Sequence, residues 1–505
     1  MSKTGLGSHG DPPEPTTELR GPRLPTPGQL LGPACPDGLM KILYPLSCLL
    51  SLVLADRPGQ AVRHPKHSTW MLESVIARGE GINPADGLLG VIQKVQHCRG
   101  MVGLFQEALR AAIAQSSDAA EIARWSDYHR RSVEANIEDL LNATASSRDL
   151  SLDRLCVGRS IMEMNLDEPL HRNVLKALRK SLELQYRNEN AGFCDGMYGF
   201  APFAALYGMT YGDPRLNVDS ALLQLDLLYK QSIEPSTGLI KHGYDASREA
   251  PWAHPITGAS PIVWGRSLAW YLIGTVDTLE IIASKYEDNA NAMRKDKTVQ
   301  RILEIFQRLA RATVETIEDS AGKTGRYAVW QVMDRPGEPG NFVEASASAM
   351  IAYVLAKGVR LGHLPGSGRS PTLEAVGKHR ASSYLRVQGP MPGFRDPVRS
   401  QDVLAVARAL YQDVVEQFVV RRQEDDTLDF LGTSIIASLH EEKPYYEVRF
   451  VPFSRSYVFW LMTISAVLYS PSSHNEQLDW DQCVCPSLPR DGASGHLRGV
   501  DNSVY

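Results

Sequence analysis

The feature that most constrains this chain is a helical spacing of apolar residues that recurs from about residue 68 to about residue 470. Between Gln401 and Val420, the residues Leu404, Ala407, Tyr411, Val414, Val415 and Phe418 fall on one stripe. Ile302, Ile305, Phe306 and Leu309 form a second stripe, and Leu268, Tyr271, Leu272, Val276 and Leu279 a third. Leu155 to Leu184 and Ser346 to Leu361 read the same way. Short turns separate these runs, among them Gly212-Asp213-Pro214, Pro235-Ser236-Thr237-Gly238 and Pro336-Gly337-Glu338-Pro339-Gly340. Strand-like alternation is scarce, and no motif repeats at a fixed period of about 20 to 50 residues. The reading is one large all-α domain over 66–470, built of antiparallel helix pairs whose loops carry the functional residues.

The flanks read differently. Residues 1–39 are rich in Pro, Gly and polar side chains and carry no periodicity, which reads as disorder or as a mis-assigned extension. Met40-Lys41 then leads into the apolar run Ile42 to Ala55. This resembles a secretory signal over 40–61, cleaved after Ala55 or Ala61, and its alternative is a buried helix. The expectation is an exported, extracellular protein whose translation starts at Met40. The run is too short to span a bilayer, so no membrane insertion is expected. Residues 472–505 read as a disordered tail.

Composition excludes several classes. A formal net charge of -5 with scattered Lys and Arg argues against a nucleic-acid surface. Seven cysteines do not make a disulfide framework in a chain this long. Cys483-Val484-Cys485 has no second pair, and neither a His-Glu-x-x-His helix nor a phosphate-cradling Gly loop is present. No metal and no organic cofactor are expected. Oligomeric state is not legible.

One carboxylate stands in an otherwise apolar run, Phe193-Cys194-Asp195-Gly196-Met197-Tyr198-Gly199-Phe200. Asp195 has two readings. It is either the N-cap of the helix that follows, or a general acid in an aromatic pocket whose loss of solvation favours the protonated form. Asp153 also precedes a helical run, and glycosidic chemistry commonly uses two carboxylates. His242, in His242-Gly243-Tyr244-Asp245, is either a structural loop histidine or a site residue. Arg266 lies between Trp264 and Trp270. A guanidinium pairs with carboxylates at two points, and indoles stack on sugars or cations. Trp252 precedes this group in a loop.

Taken in order, these blocks resemble glycoside hydrolase family 105, the unsaturated rhamnogalacturonyl hydrolases. The resemblance rests on Asp195-Gly196-Met197-Tyr198 with Ala201-Pro202-Phe203, on His242-Gly243-Tyr244-Asp245, and on Trp264-Gly265-Arg266 with Trp270. Trp330-Gln331-Val332-Met333-Asp334 and Asn341-Phe342 with Glu344-Ala345-Ser346 agree with it. The resemblance implies an (α/α)6 barrel of six helical hairpins. It also implies hydration of the C4–C5 double bond of an unsaturated uronate at the non-reducing end of an acidic oligosaccharide. An acid protonates C4, water adds at C5, and the hemiketal opens to release the next sugar. On that pattern Asp195 is the acid and base, Asp153 a supporting carboxylate, and His242 a stabiliser of charge or of sugar position. Arg266, Trp264, Trp270, Tyr198 and Trp252 hold the uronate. The chain departs from the pattern in a short loop, Arg187 to Gly192, before Asp195, and in Gly199 where a methionine is usual. The alternatives are a related unsaturated glucuronyl hydrolase, or a barrel that binds sugar without turning it over.

Overall fold

The computed structural model describes residues 67–82, 99–149, 152, 154–164, 168–185, 191–250, 252–286, 290–365 and 402–434. All of them lie in the unit from Pro65 to Tyr505. The extension 1–39, the signal 40–61 and the tail 472–505 lie outside the described residues, as do Asp153 and the loop residues 187–190.

The helices in chain order are α1 (His67–Ala77), α2 (Arg99–Gln115), α3 (Ala119–Glu134), α4 (Ile137–Leu141), α5 (Ala143–Asp149), α6 (Arg154–Glu163) and α7 (Pro169–Gln185). After strand β1 (Ala191–Phe193) come α8 (Gly196–Tyr211) and α9 (Val218–Ser232). After strand β2 (Gly243–Asp245) come α10 (Gly265–Ser284), α11 (Ala290–Lys295), α12 (Lys297–Thr324), α13 (Ala345–Arg360) and α14 (Val403–Phe418). A hairpin of β3 (Val419–Arg421) and β4 (Leu428–Phe430) follows. The run Leu155 to Leu184, continuous in its apolar spacing, is two helices, α6 and α7.

Apart from α1, α4, α5 and α11, the helices alternate along the chain between two rings. α2, α6, α8, α10 and α13 pack side by side, each against its neighbour in that order, and α3, α7, α9, α12 and α14 each cover one of them. Burial follows the rings. α10 and α13 are buried almost all round, whereas α12 keeps an apolar stripe inward and charges outward. Asp296 caps α12 by accepting from the Thr298 and Val299 amides, and left-handed Gly325 ends it. Five inner–outer pairs lie among the described residues, the arrangement of an (α/α) barrel. α8 and α10 approach so closely that a Cβ on Gly274 would stand 2.5 Å from the Met197 carbonyl oxygen. Only glycine fits there, and the contact fixes the start of α8 against α10.

The barrel interior is not wholly apolar. Lys357 of α13 reaches Asp277 of α10 at 2.6 Å, Glu280 at 2.7 Å and the Tyr353 hydroxyl at 3.0 Å. Arg159 of α6 pairs with Asp277, with Glu163 at 2.8 Å and with Glu107 of α2 at 3.4 Å. The Tyr353 hydroxyl donates to Glu107 at 2.7 Å, tying α13 across to α2. Burial alone would raise Glu107, but the Arg159 guanidinium and the Lys357 ammonium hold it well below the usual carboxylate range. Asp277 is pushed up instead, by burial and by the neighbouring charge of Glu107.

Candidate active site

The inner helices α8, α10 and α13 begin at one end of the barrel, and short extended segments before them are laced together there. β1 pairs antiparallel with β2, Phe193 opposite Gly243, and the Cys194 amide donates to the His242 carbonyl at 3.0 Å. The His242 amide donates to the Ile262 carbonyl at 3.0 Å. Trp264 bridges to Val332, and the Gly265 amide donates to the Gln331 carbonyl at 3.0 Å. A Cβ on Gly265 would meet the Trp330 carbonyl oxygen at 2.4 Å, so this crossing also needs glycine. Trp330 bridges to Val343, and the Glu344 amide donates to the Val329 carbonyl at 2.9 Å. The backbone of this collar, more than any one side chain, brings residues 195, 242, 264–267, 331 and 344 together.

Asp195 stands at the N-cap position of α8, yet its side chain makes no capping hydrogen bond. Its Oδ1 instead accepts from the Ser267 hydroxyl on α10 and lies 3.8 Å from His242 Nε2. The side chain keeps 30% of its exposure, so solvent reaches it. The expected aromatic enclosure is therefore only partial. The carboxylate faces a hydroxyl and an imidazole on one side and water on the other. Next to it, burial pushes the Cys194 thiol up, and that thiol donates to the Lys241 carbonyl at 3.2 Å. It is a neutral structural group rather than a nucleophile.

The His242 ring stands edge-on to Trp264 with centroids 4.8 Å apart. Arg266 lies over the same indole, its guanidinium carbon 4.7 Å from the ring centroid. Trp264 Nε1 donates to Gln331 Oε1 at 3.0 Å. Arg266 Nη1 donates to Glu344 Oε1 at 3.3 Å and to the Ser434 carbonyl at 2.6 Å. Thus part of the guanidinium expected to meet a substrate carboxylate is held by a carboxylate of the chain itself. Glu344 does cap its helix, accepting from the Ala347 amide at 2.6 Å. The cap reading considered for Asp195 describes Glu344 instead.

The Tyr198 and Trp270 rings meet at a tilt of 39° with centroids 4.6 Å apart. Both are buried, and the Tyr198 hydroxyl donates to Glu107 at 3.4 Å. Trp252 is half-buried in the loop after β2, which is closed by the His254 amide donating to the Ala259 carbonyl at 3.0 Å. Asp245 organises the start of that loop, accepting from the Ser247 and Ala250 amides at 2.9 and 2.8 Å. This is the turn role that its sequence position allows. Sequence reasoning missed Ser267, Gln331 and Glu344 as members of the group. Among the described residues, no cluster of three or more His, Cys, Asp or Glu side chains is placed to hold a metal ion, and no helix is long and apolar enough to cross a membrane.

Residues 105–377 match the family model described as Glycosyl Hydrolase Family 88. The chain belongs to glycosyl hydrolase family 88. Protein Atu3128 of Agrobacterium fabrum is 35% identical over 188 residues, which span 37% of this chain and 72% of that protein. The fold of this family 88 chain is similar to that of a family 105 glycoside hydrolase of C. acetobutylicum. The TM-score is 0.58 at 20% identity, covering 80% of this chain and 99% of that one. A possible member of family 105 from Salmonella enterica aligns with a TM-score of 0.52 at 13% identity, covering 81% and 95%. The architecture is that of the six-hairpin glycosidases, the (α/α)6 barrel expected from the sequence resemblance. Membership in a glycoside hydrolase family implies a sugar substrate.

Proposed function

We propose that this family 88 glycosidase removes the unsaturated galacturonyl residue from the non-reducing end of rhamnogalacturonan oligosaccharides by hydrating its C4–C5 double bond. The observation that carries the reading is the carboxylate of Asp195. It sits at a helix start without capping it, is partly open to solvent, and is held by Ser267 beside His242. A group in that position can give a proton to C4 and then take one from the water that adds at C5. Trp264 and the guanidinium stacked on it offer an aromatic and cationic wall suited to an acidic sugar.

The test uses the full chain and disaccharides made by lyase cleavage of rhamnogalacturonan, heparan and hyaluronan. The expected result is loss of absorbance from the conjugated double bond, with the highest kcat/KM on the rhamnogalacturonan product. Higher kcat/KM on the heparan or hyaluronan products would move the assignment to a glucuronyl hydrolase. Binding without turnover on all three would overturn the enzymatic reading.

A further inference from the structure

Ser267 is the third residue of α10 and is fully buried. Its hydroxyl oxygen contacts two acceptors, Oδ1 of Asp195 and, at 3.3 Å, the main-chain carbonyl of His242. A serine hydroxyl carries one proton and can donate to only one of them at a time. With Asp195 ionised, the proton belongs on the Asp195 side, because a charge-assisted hydrogen bond is the stronger of the two. With Asp195 protonated on Oδ1, two donors would face each other unless the hydroxyl turns. It then accepts from the carboxyl O–H and donates to the His242 carbonyl. Only the torsion about Cβ–Oγ changes, and Ser267 keeps its own proton throughout. The His242 carbonyl remains satisfied in either case, since it also accepts from the Cys194 amide at 3.0 Å.

We propose that Ser267 is a positioning residue that serves Asp195 in both protonation states, donating to the carboxylate and accepting from the acid. The proposal rests on the acid and base role assigned to Asp195 above. An acid that later acts as a base needs a neighbour that satisfies both forms, because a fixed donor would favour one of them. The fixed partners of other buried side chains here show the contrast. The Lys357 ammonium beside Asp277 and the Arg266 guanidinium beside Glu344 can only donate. Among the described residues, the titratable and charged groups around Asp195 leave Ser267 this task. His242 Nε2 stands 3.8 Å away, the Cys194 thiol is neutral, Arg266 is turned to Glu344, and the Tyr198 hydroxyl is turned to Glu107.

The test compares wild type, Ser267→Ala and Ser267→Thr, with melting temperatures measured for each. In Ser267→Ala, kcat on the unsaturated disaccharide should fall on the order of 10- to 100-fold while KM changes by less than about two-fold. The bond to the carboxylate is the stronger of the two, so losing both favours the protonated form and the pH–rate profile should move up. Ser267→Thr, which keeps the hydroxyl, should recover most of kcat. The carboxyl carbon resonance of Asp195, identified by its absence in Asp195→Asn, supplies a readout independent of turnover. Its titration midpoint should move up in Ser267→Ala and return in Ser267→Thr. A wild-type kcat and an unmoved midpoint in Ser267→Ala would overturn the proposal. So would a loss of kcat that follows a lowered melting temperature with the midpoint unchanged. If the wild-type chain turns over no unsaturated uronide, the proposed function fails, and the resonance midpoint still decides the role of Ser267.

Discussion

Replacing Asp195 by Asn is expected to lower kcat on an unsaturated uronyl disaccharide by about 10³-fold, the scale of a lost acid–base group. Asn has the same shape and still accepts from the Ser267 hydroxyl, so sugar binding should persist and KM should change little. What it loses is the ability to give and take a proton. Asp195→Ala separates the two readings of this position. As a helix cap, its loss would cost about 1 kcal/mol of stability. Because the carboxylate makes no capping bond and keeps 30% of its exposure, that variant should melt near wild type. A cap-sized loss of stability with turnover intact would remove Asp195 from the chemistry.

The second large effect is on folding. Lys357→Met, which keeps most of the length of the side chain and removes its charge, should destabilise the protein by about 3 to 5 kcal/mol in denaturant unfolding. Lys357 sits within the barrel against Asp277, Glu280 and Glu107. Without it, Asp277, which is fully buried, and Glu107, which is nearly so, lose a direct counter-charge. An exposed ion pair would be worth at most about 1 kcal/mol, so a loss that small would contradict the account. The double variant Asp277→Asn with Lys357→Met should lose less than the sum of the two single changes, because it removes the stranded charge together with its partner.

The helical frame was legible because burial repeats along it. Of the stripe read in α14, Ala407, Tyr411, Val414 and Val415 face inward, and Leu404 and Phe418 are half-buried at its edge. The site was legible only where residue type is unusual. Asp195, His242, Arg266 and Trp264 stood out as charges, a ring and an indole at Gly-marked turns, and the collar of extended segments brings them together. Ser267 and Glu344 did not stand out. A serine inside a helix and a glutamate before one are ordinary, and their partners lie 72 and 78 residues away in sequence. The choice between cap and acid for Asp195 depends on where one side chain turns, which spacing does not record. The interior charges had a usable signal: Asp277 is a buried acid in a mostly apolar helix whose other charges are Arg266 and Glu280, a pattern close to the one that marked Asp195. The sequence blocks assign Arg266 a substrate carboxylate, and the fold adds Glu344 as a second claimant for the same guanidinium.

The most direct test of the account is the fate of solvent atoms during one turnover of the unsaturated rhamnogalacturonan disaccharide, run in heavy-oxygen water and separately in deuterium oxide. Hydration of the double bond places deuterium at C4 and the solvent oxygen at C5 of the released sugar, with the double bond gone. Solvent oxygen at C1, with the double bond intact in the released sugar, would contradict it.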